Sequence, residues 1–171
     1  SRSGKLRAEQ SFTVAAPKAA LPGTSRLIVK LYPGVVSQVV DGLEGMLREP
    51  YGCFDGVLLM GLVTLPDGEV APRLNDVTLD AEQARKDHAT LMESVKRMLC
   101  VGLVHGDLSE FNVLVDEHGP VIIDLPQAVD AAANNNAFFM LNRDVNNITQ
   151  YYGQFAPELL ETRFSPEMWS L

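Results

Sequence analysis

The chain has 171 residues, room for one domain with a real core or for two small lobes sharing a cleft. Its 46% hydrophobic and 21% charged content is ordinary for a globular protein, and a formal net charge of −8 disfavours non-specific binding to phosphodiester backbones. Cys53 and Cys100 form no CxxC pair and no apolar run reaches the roughly 18 residues of a membrane span, so a disulfide scaffold, a zinc site and a membrane protein are all disfavoured.

No signal-peptide pattern opens the sequence. Arg2, Lys5 and Arg7 precede any acidic residue and read as a solvated end of the chain. Phe12-Thr13-Val14 is a strand candidate, and so is the β-branched run Arg26 to Tyr32 between Pro22-Gly23 and Pro33-Gly34. Val36, Val39, Val40, Leu43 and Leu47 recur at helical spacing over 35–48, weakened by Gly42 and Gly45, and Pro50-Tyr51-Gly52 ends that helix. Val57 to Met60 reads as a short buried strand.

The clearest helix spans 81–101. Asp80 caps it with Gln83 as reciprocal partner, one face carries Ala84, His88, Leu91, Val95, Met98 and Leu99, and Gly102 stops it. Strands at 113–115 and 121–123 then flank a turn at Asp116-Glu117-His118-Gly119-Pro120. Residues 131–136 are a polar bridge, and a last helix over about 137–152 sets Phe138, Leu141, Val145, Ile148 and Tyr152 on one face. Both cysteines sit among apolar neighbours and read as free core thiols, which suits a reducing, cytoplasmic setting.

The chemistry concentrates in His105-Gly106-Asp107-Leu108-Ser109-Glu110-Phe111-Asn112 and Val121-Ile122-Ile123-Asp124. A loop, a strand, a turn and a second strand return three oxygen-bearing side chains to one end of a hairpin. A transferring phosphoryl group spreads negative charge over its oxygens, so a protein mainly positions groups and neutralises charge. Mg²⁺ wants oxygen ligands and commonly takes one or two carboxylates. Asp124 and Asn112 are placed to share one such ion, and Asp107 to orient the attacking hydroxyl or water. His105 reads as a loop-building residue bonded to backbone. Turn residues flanking a hairpin are the bland alternative, but His, Asp and Asn at these offsets, then Ile-Ile-Asp, after a long amphipathic helix, rarely coincide by chance.

At these residues the chain resembles the RIO atypical serine protein kinases, especially their bacterial members. Ser109-Glu110 after Asp-Leu, and Leu125-Pro126-Gln127 after Asp124 where ordinary protein kinases carry Phe-Gly, are the marks of that resemblance, and Arg143-Asp144-Val145 fits the family's closing helix. The resemblance covers residues 51–169 well and 1–50 poorly. It implies an α+β, small bilobal protein-kinase-like fold. A reduced β lobe over 1–60 covers the nucleotide and a mainly helical lobe over 61–171 carries catalysis. ATP and Mg²⁺, with Mn²⁺ as a substitute, are the implied cofactors, and serine autophosphorylation or an ATPase switch the implied activity. Asp107 and Asp124 match the catalytic aspartates, and Asn112 and Asp124 the metal ligands. Asp124 is also the implied phosphate acceptor, and Ser109, Asn112 and Ile123 join the nucleotide contacts. The partner is a protein substrate or the chain itself, with ribosome or RNA partners implied by resemblance alone.

The first lobe matches less well. Lys30 corresponds to the lysine on the α- and β-phosphates, with a solvent-facing lysine on an edge strand as the other reading. Glu44 corresponds to its helix partner, but only fourteen positions separate the two and the link on to Pro50 is short for the family, so this lobe is expected to be incomplete. Ser3-Gly4-Lys5 begins like the phosphate-covering loop and Leu6-Arg7-Ala8 does not continue it. Met60 and Leu62 are the hinge candidates around Gly61, where a hinge Glu is usual; core packing is their other role. Two further readings stay open: a small-molecule kinase resembling the aminoglycoside phosphotransferases, and a nucleotide-binding scaffold with little or no turnover.

Overall fold

The computed structural model describes residues 11–15, 26–31, 50–54, 57–61, 63–125 and 127–170. It divides into two compact units, Ser1–Leu62 and Val63–Leu171. In the first, β1 (Ser11–Ala15), β2 (Arg26–Leu31), β3 (Pro50–Phe54) and β4 (Val57–Gly61) form an antiparallel sheet in the order β1-β2-β4-β3. Lys30 pairs with Ser11 on one side and Leu58 on the other, so β2 is an inner strand and not the edge strand of the bland reading. Pro50-Tyr51-Gly52 opens β3 where a helix end was expected. Proline is tolerated at a strand's first residue, and the register shifts between Pro50 and Gly52. The helix expected over 35–48, Glu44 within it, Leu62 and Ser3-Gly4-Lys5 lie outside the described residues.

The second unit is built on two helices. α1 (Ala81–Cys100) starts where Asp80 accepts the Gln83 N–H at 2.8 Å. Only half of the expected capping box forms, because the Gln83 side chain turns inward and its Nε2 donates to Asp87 Oδ1 at 2.6 Å. Ala84, His88, Leu91, Val95 and Met98 are buried as their spacing predicts, joined by Asp87 and Met92. Gly102, at φ +80°, closes the helix with its N–H on the Leu99 carbonyl. Cys100 is free but exposed, not a core thiol. Two positions beyond Met98 is about 200° round a helix, on the side away from the core.

α2 (Ala137–Gly153) buries Leu141, Val145, Ile148 and Tyr152, the three aliphatic side chains worth about 1.5–3 kcal/mol each in apolar burial. Phe138 departs from the expected face: Ala137 takes the buried place, and Phe138 is 41% exposed and leans on Trp169 of α3 (Phe164–Trp169) with ring centroids 5.4 Å apart. Between the helices, β5 (Leu103–Val104) pairs with β8 (Val129–Asp130), and β6 (Val113–Asp116) pairs with β7 (Gly119–Ile122). The β6–β7 turn is tighter than the sequence suggested. Asp116 pairs directly with Gly119, and Pro120 lies within the strand opposite Val115. That is a non-hydrogen-bonded pair, in which the missing proline N–H costs the ladder nothing; the Val115 N–H points away and bonds the Pro72 carbonyl at 2.9 Å.

Candidate functional site

β5 delivers the chain into His105-Gly106-Asp107-Leu108, a 3-10 turn over Glu110–Asn112 carries it into β6, and β7 returns it to Asp124. Gly106 makes the entry possible. It sits at φ +80°, and a Cβ there would lie 2.5 Å from the Gln127 carbonyl oxygen and 2.7 Å from Met140 Cε. Leu108 is fully buried and pins the loop, while Asp107 is exposed.

Hydrogen bonds tie the candidate residues together. Asn112 Nδ2 donates to the Asp107 carbonyl at 2.7 Å and approaches its Oδ2 at 3.5 Å. The Ile123 N–H donates to the Asn112 carbonyl at 2.9 Å, which extends the hairpin ladder one step and brings Asp124 in directly after. His105 Nε2 meets the Ile123 carbonyl at 3.0 Å, and its Nδ1 accepts the Asp107 N–H at 3.3 Å. An accepting Nδ1 puts the proton on Nε2, which donates to Ile123. The expected backbone-bonding role of His105 is therefore met. Ser109 accepts the Asn112 N–H at 3.0 Å through its carbonyl. Asp107, Ser109, Asn112, Ile123 and Asp124 thus belong to one bonded loop-and-hairpin mouth. Lys30 and Met60 belong to the sheet of the other unit.

Asp124 carries φ +71°, the one non-glycine with positive φ among the described residues. Aspartate tolerates this left-handed region better than most residues, yet such strain concentrates at functional sites. The candidate donors at this mouth are oxygens: the Asp124 carboxylate and the amide oxygen of Asn112, whose nitrogen is engaged with Asp107. Such a set fits a hard divalent cation that completes its shell with phosphate and water. Among the described residues no group of three or more His, Cys, Asp or Glu could hold a metal ion.

The sequence reading missed the support beneath the loop. Asp144, 1% exposed on α2, accepts the N–H groups of Gly106 at 2.7 Å and Leu108 at 3.2 Å. The Arg143 guanidinium donates to the Gly106 carbonyl, and Asn147 Nδ2 to the Leu108 carbonyl at 3.2 Å. Burial pushes the Asp144 carboxyl up to about 6, against the pull of the two backbone N–H groups and Arg143. A carboxylate lodged among Leu141, Val145 and Ile148 was the available signal, since a charge on an apolar face needs a partner.

A glycine-bent loop ending in Asp and Asn, a hairpin closing on a second Asp, and a helix bracing the loop from beneath are the layout of a protein-kinase-like α+β fold. The family model for the RIO domain matches residues 43–164, and the chain belongs to that family. It is 40% identical over 100 residues to RIO-type serine/threonine-protein kinase Rio2 of Methanocaldococcus jannaschii, covering 57% of this chain and 36% of that protein. It is 36% identical over 104 residues to RIO-type serine/threonine-protein kinase Rio1 of Haloferax volcanii, covering 61% of this chain and 34% of that protein. With Rio1 of Thermoplasma acidophilum it shares 35% over 105 residues, covering 61% of this chain and 52% of that protein. The chain thus spans about a third to a half of the length of these relatives. Kinases of this family generally use ATP and a divalent metal. No helix among the described residues is long and apolar enough to cross a membrane.

Proposed function

We propose that this chain catalyses ATP- and Mg²⁺-dependent phosphoryl transfer as a RIO-type serine kinase, acting on itself or on a protein substrate, with water as a second acceptor at the same site. The observation that carries the reading is the bonding of Asn112 to Asp107 on one side and, through the hairpin, to Ile123-Asp124 on the other. Asp107 is exposed, as a residue that meets an incoming hydroxyl must be. It orients that hydroxyl and receives its proton while the oxygen bonds to the γ-phosphorus and the β–γ bridging bond breaks. Asp124 and the Asn112 oxygen would hold Mg²⁺, or Mn²⁺ in its place, which when bound neutralises phosphate charge. Ser109 and Ile123 contribute to the nucleotide's surroundings. Lys30, Glu44, Met60 and Leu62 supply the covering half, with residues 1–60 as the nucleotide-covering lobe and 61–171 as the catalytic lobe. A cytoplasmic location follows from the sparse cysteines and the use of ATP.

The relatives' printed names, together with Ser109-Glu110 and Pro126-Gln127, support a protein acceptor over a small alcohol or sugar. Incubation with γ-labelled ATP and Mg²⁺, following protein labelling and phosphate release together, tests the reading. Wild-type turnover is expected, with loss of about a hundredfold or more in Asp107→Ala and in Asp124→Ala and on chelation of the metal. Label on serine identifies the kinase; hydroxylamine-labile label, an acyl phosphate formed when the Asp124 carboxylate takes the γ-phosphoryl group from ADP before water releases it as phosphate, identifies the ATPase switch. Nucleotide binding without turnover in the wild type would refute the enzyme in favour of a scaffold.

A further inference from the structure

We infer that Arg143 and Asn147, one turn apart on α2, are positioning residues that aim the Asp107 side chain; this rests on the phosphoryl-transfer reading above. The direction of Asp107's Cα–Cβ bond is fixed by the peptide planes on its two sides, and each plane from residue 105 to residue 109 has a holder. The Gly106 N–H is on Asp144 at 2.7 Å. The next plane has its Gly106 carbonyl on the Arg143 guanidinium and its Asp107 N–H on His105 at 3.3 Å. The third has its Asp107 carbonyl on Asn112 at 2.7 Å and its Leu108 N–H on Asp144 at 3.2 Å. The Leu108 carbonyl is on Asn147 at 3.2 Å.

These holders differ in what their loss would do. Asp144 is buried, and removing it strands two N–H groups. The Arg143 side chain is 45% exposed and Asn147 is exposed, so carbonyls they release are re-solvated by water. Removing Arg143 leaves the plane before Asp107 on the 3.3 Å His105 bond alone, and removing Asn147 frees the plane after Leu108, neither emptying the core. Rate is far more sensitive than stability to such a change, since a misplacement of about 1 Å can cost up to about a hundredfold. Positions 143 and 147 are four apart, the helical spacing that sets both side chains over one strip of loop. The carbonyls they hold are two residues apart, so the loop runs alongside the helix.

The test measures kcat, KM for ATP and thermal melting in wild type, Arg143→Met, Arg143→Lys and Asn147→Ala. Asn147→Ala should lower kcat by about ten- to a hundredfold, with KM for ATP and melting close to wild type. Arg143→Met should lower kcat as much with KM unchanged, and melt lower because it also removes the cation 3.6 Å from the buried Asp144 carboxylate. Arg143→Lys, which keeps a donor, should recover part of the loss. Wild-type kcat in both Arg143→Met and Asn147→Ala overturns the assignment while leaving phosphoryl transfer intact. A kcat loss in Asn147→Ala that follows a fall in melting, with no recovery in Arg143→Lys, overturns it too and makes both residues structural. A wild type without turnover overturns the phosphoryl-transfer reading, and the positioning role with it.

Discussion

Gly106 shows at residue scale why a loop is built from the side chains it can do without. A Cβ at φ +80° and 2.5 Å from the Gln127 carbonyl oxygen meets backbone that cannot step aside. Gly106→Ala should destabilise by about 1–3 kcal/mol and abolish turnover, read by denaturant unfolding and the labelling assay. Asp144→Asn keeps one oxygen for one N–H and turns an amide against the other. It should cost about 1–3 kcal/mol, partly offset by relief of the buried charge, and lower kcat more than tenfold. His88 makes a prediction in pH. It is 1% exposed, meets Thr149 Oγ1 at 3.0 Å, and burial lowers its pKa to about 4. The unfolded chain binds that proton below about 6.5 and the folded chain does not, so His88's contribution is full above 6.5 and lost as pH falls toward 4, about 3 kcal/mol in all. Asp144, raised to about 6, acts in the opposite sense: it favours the folded state as pH falls through 6. Subtracting the pH–stability curve of His88→Gln from wild type should leave the His88 limb. The aspartates and asparagine of the site were legible in the sequence because their offsets are fixed by a short loop and a hairpin. Arg143-Asp144 stands out in the sequence only through the family resemblance; the bracing role of Asp144 is not legible there, because its partners lie 36 and 38 positions away and no local spacing records them.

The elements divide by whether local periodicity or tertiary contact decides them. α1 was legible from one end to the other, since its apolar face, its cap and its terminating glycine are all local. Asp80→Ala should cost about 1 kcal/mol in unfolding free energy through the lost Gln83 N–H bond, with kcat unchanged, because the cap is remote from Asp107 in the bonding described. The Gln83 half of the box does not form because the buried Asp87 carboxylate takes the Gln83 amide, drawing that side chain away from the exposed Asp80 backbone N–H. Phe138 was misplaced at the first turn of α2, where Trp169 of a later helix offers it a surface partner. β3 was missed because Pro-Tyr-Gly is a terminator by composition, and only pairing with β4 makes it a strand. The β6–β7 hairpin slid by two residues at its turn for a related reason: proline was read as loop, and the ladder had a place for it.

Across the whole molecule, the second unit and the sheet of the first unit carry different weights. The family match spans residues 43–164 and includes the whole of the loop, hairpin and bracing helix. Lys30 stands on an inner strand of the other unit, while Glu44 and Leu62 lie outside the described residues. The central claim is that the hairpin mouth holds the metal–nucleotide through Asn112 and Asp124, with Asp107 reserved for the acceptor. The most direct measurement is Mn²⁺ titration by electron paramagnetic resonance with a non-hydrolysable ATP analogue, in wild type, Asn112→Ala, Asp124→Asn and Asp107→Asn. One nucleotide-dependent Mn²⁺ site is expected, weakened at least tenfold in the Asn112 and Asp124 variants and retained in Asp107→Asn. Equal Mn²⁺ affinity in wild type, Asn112→Ala and Asp124→Asn would contradict it.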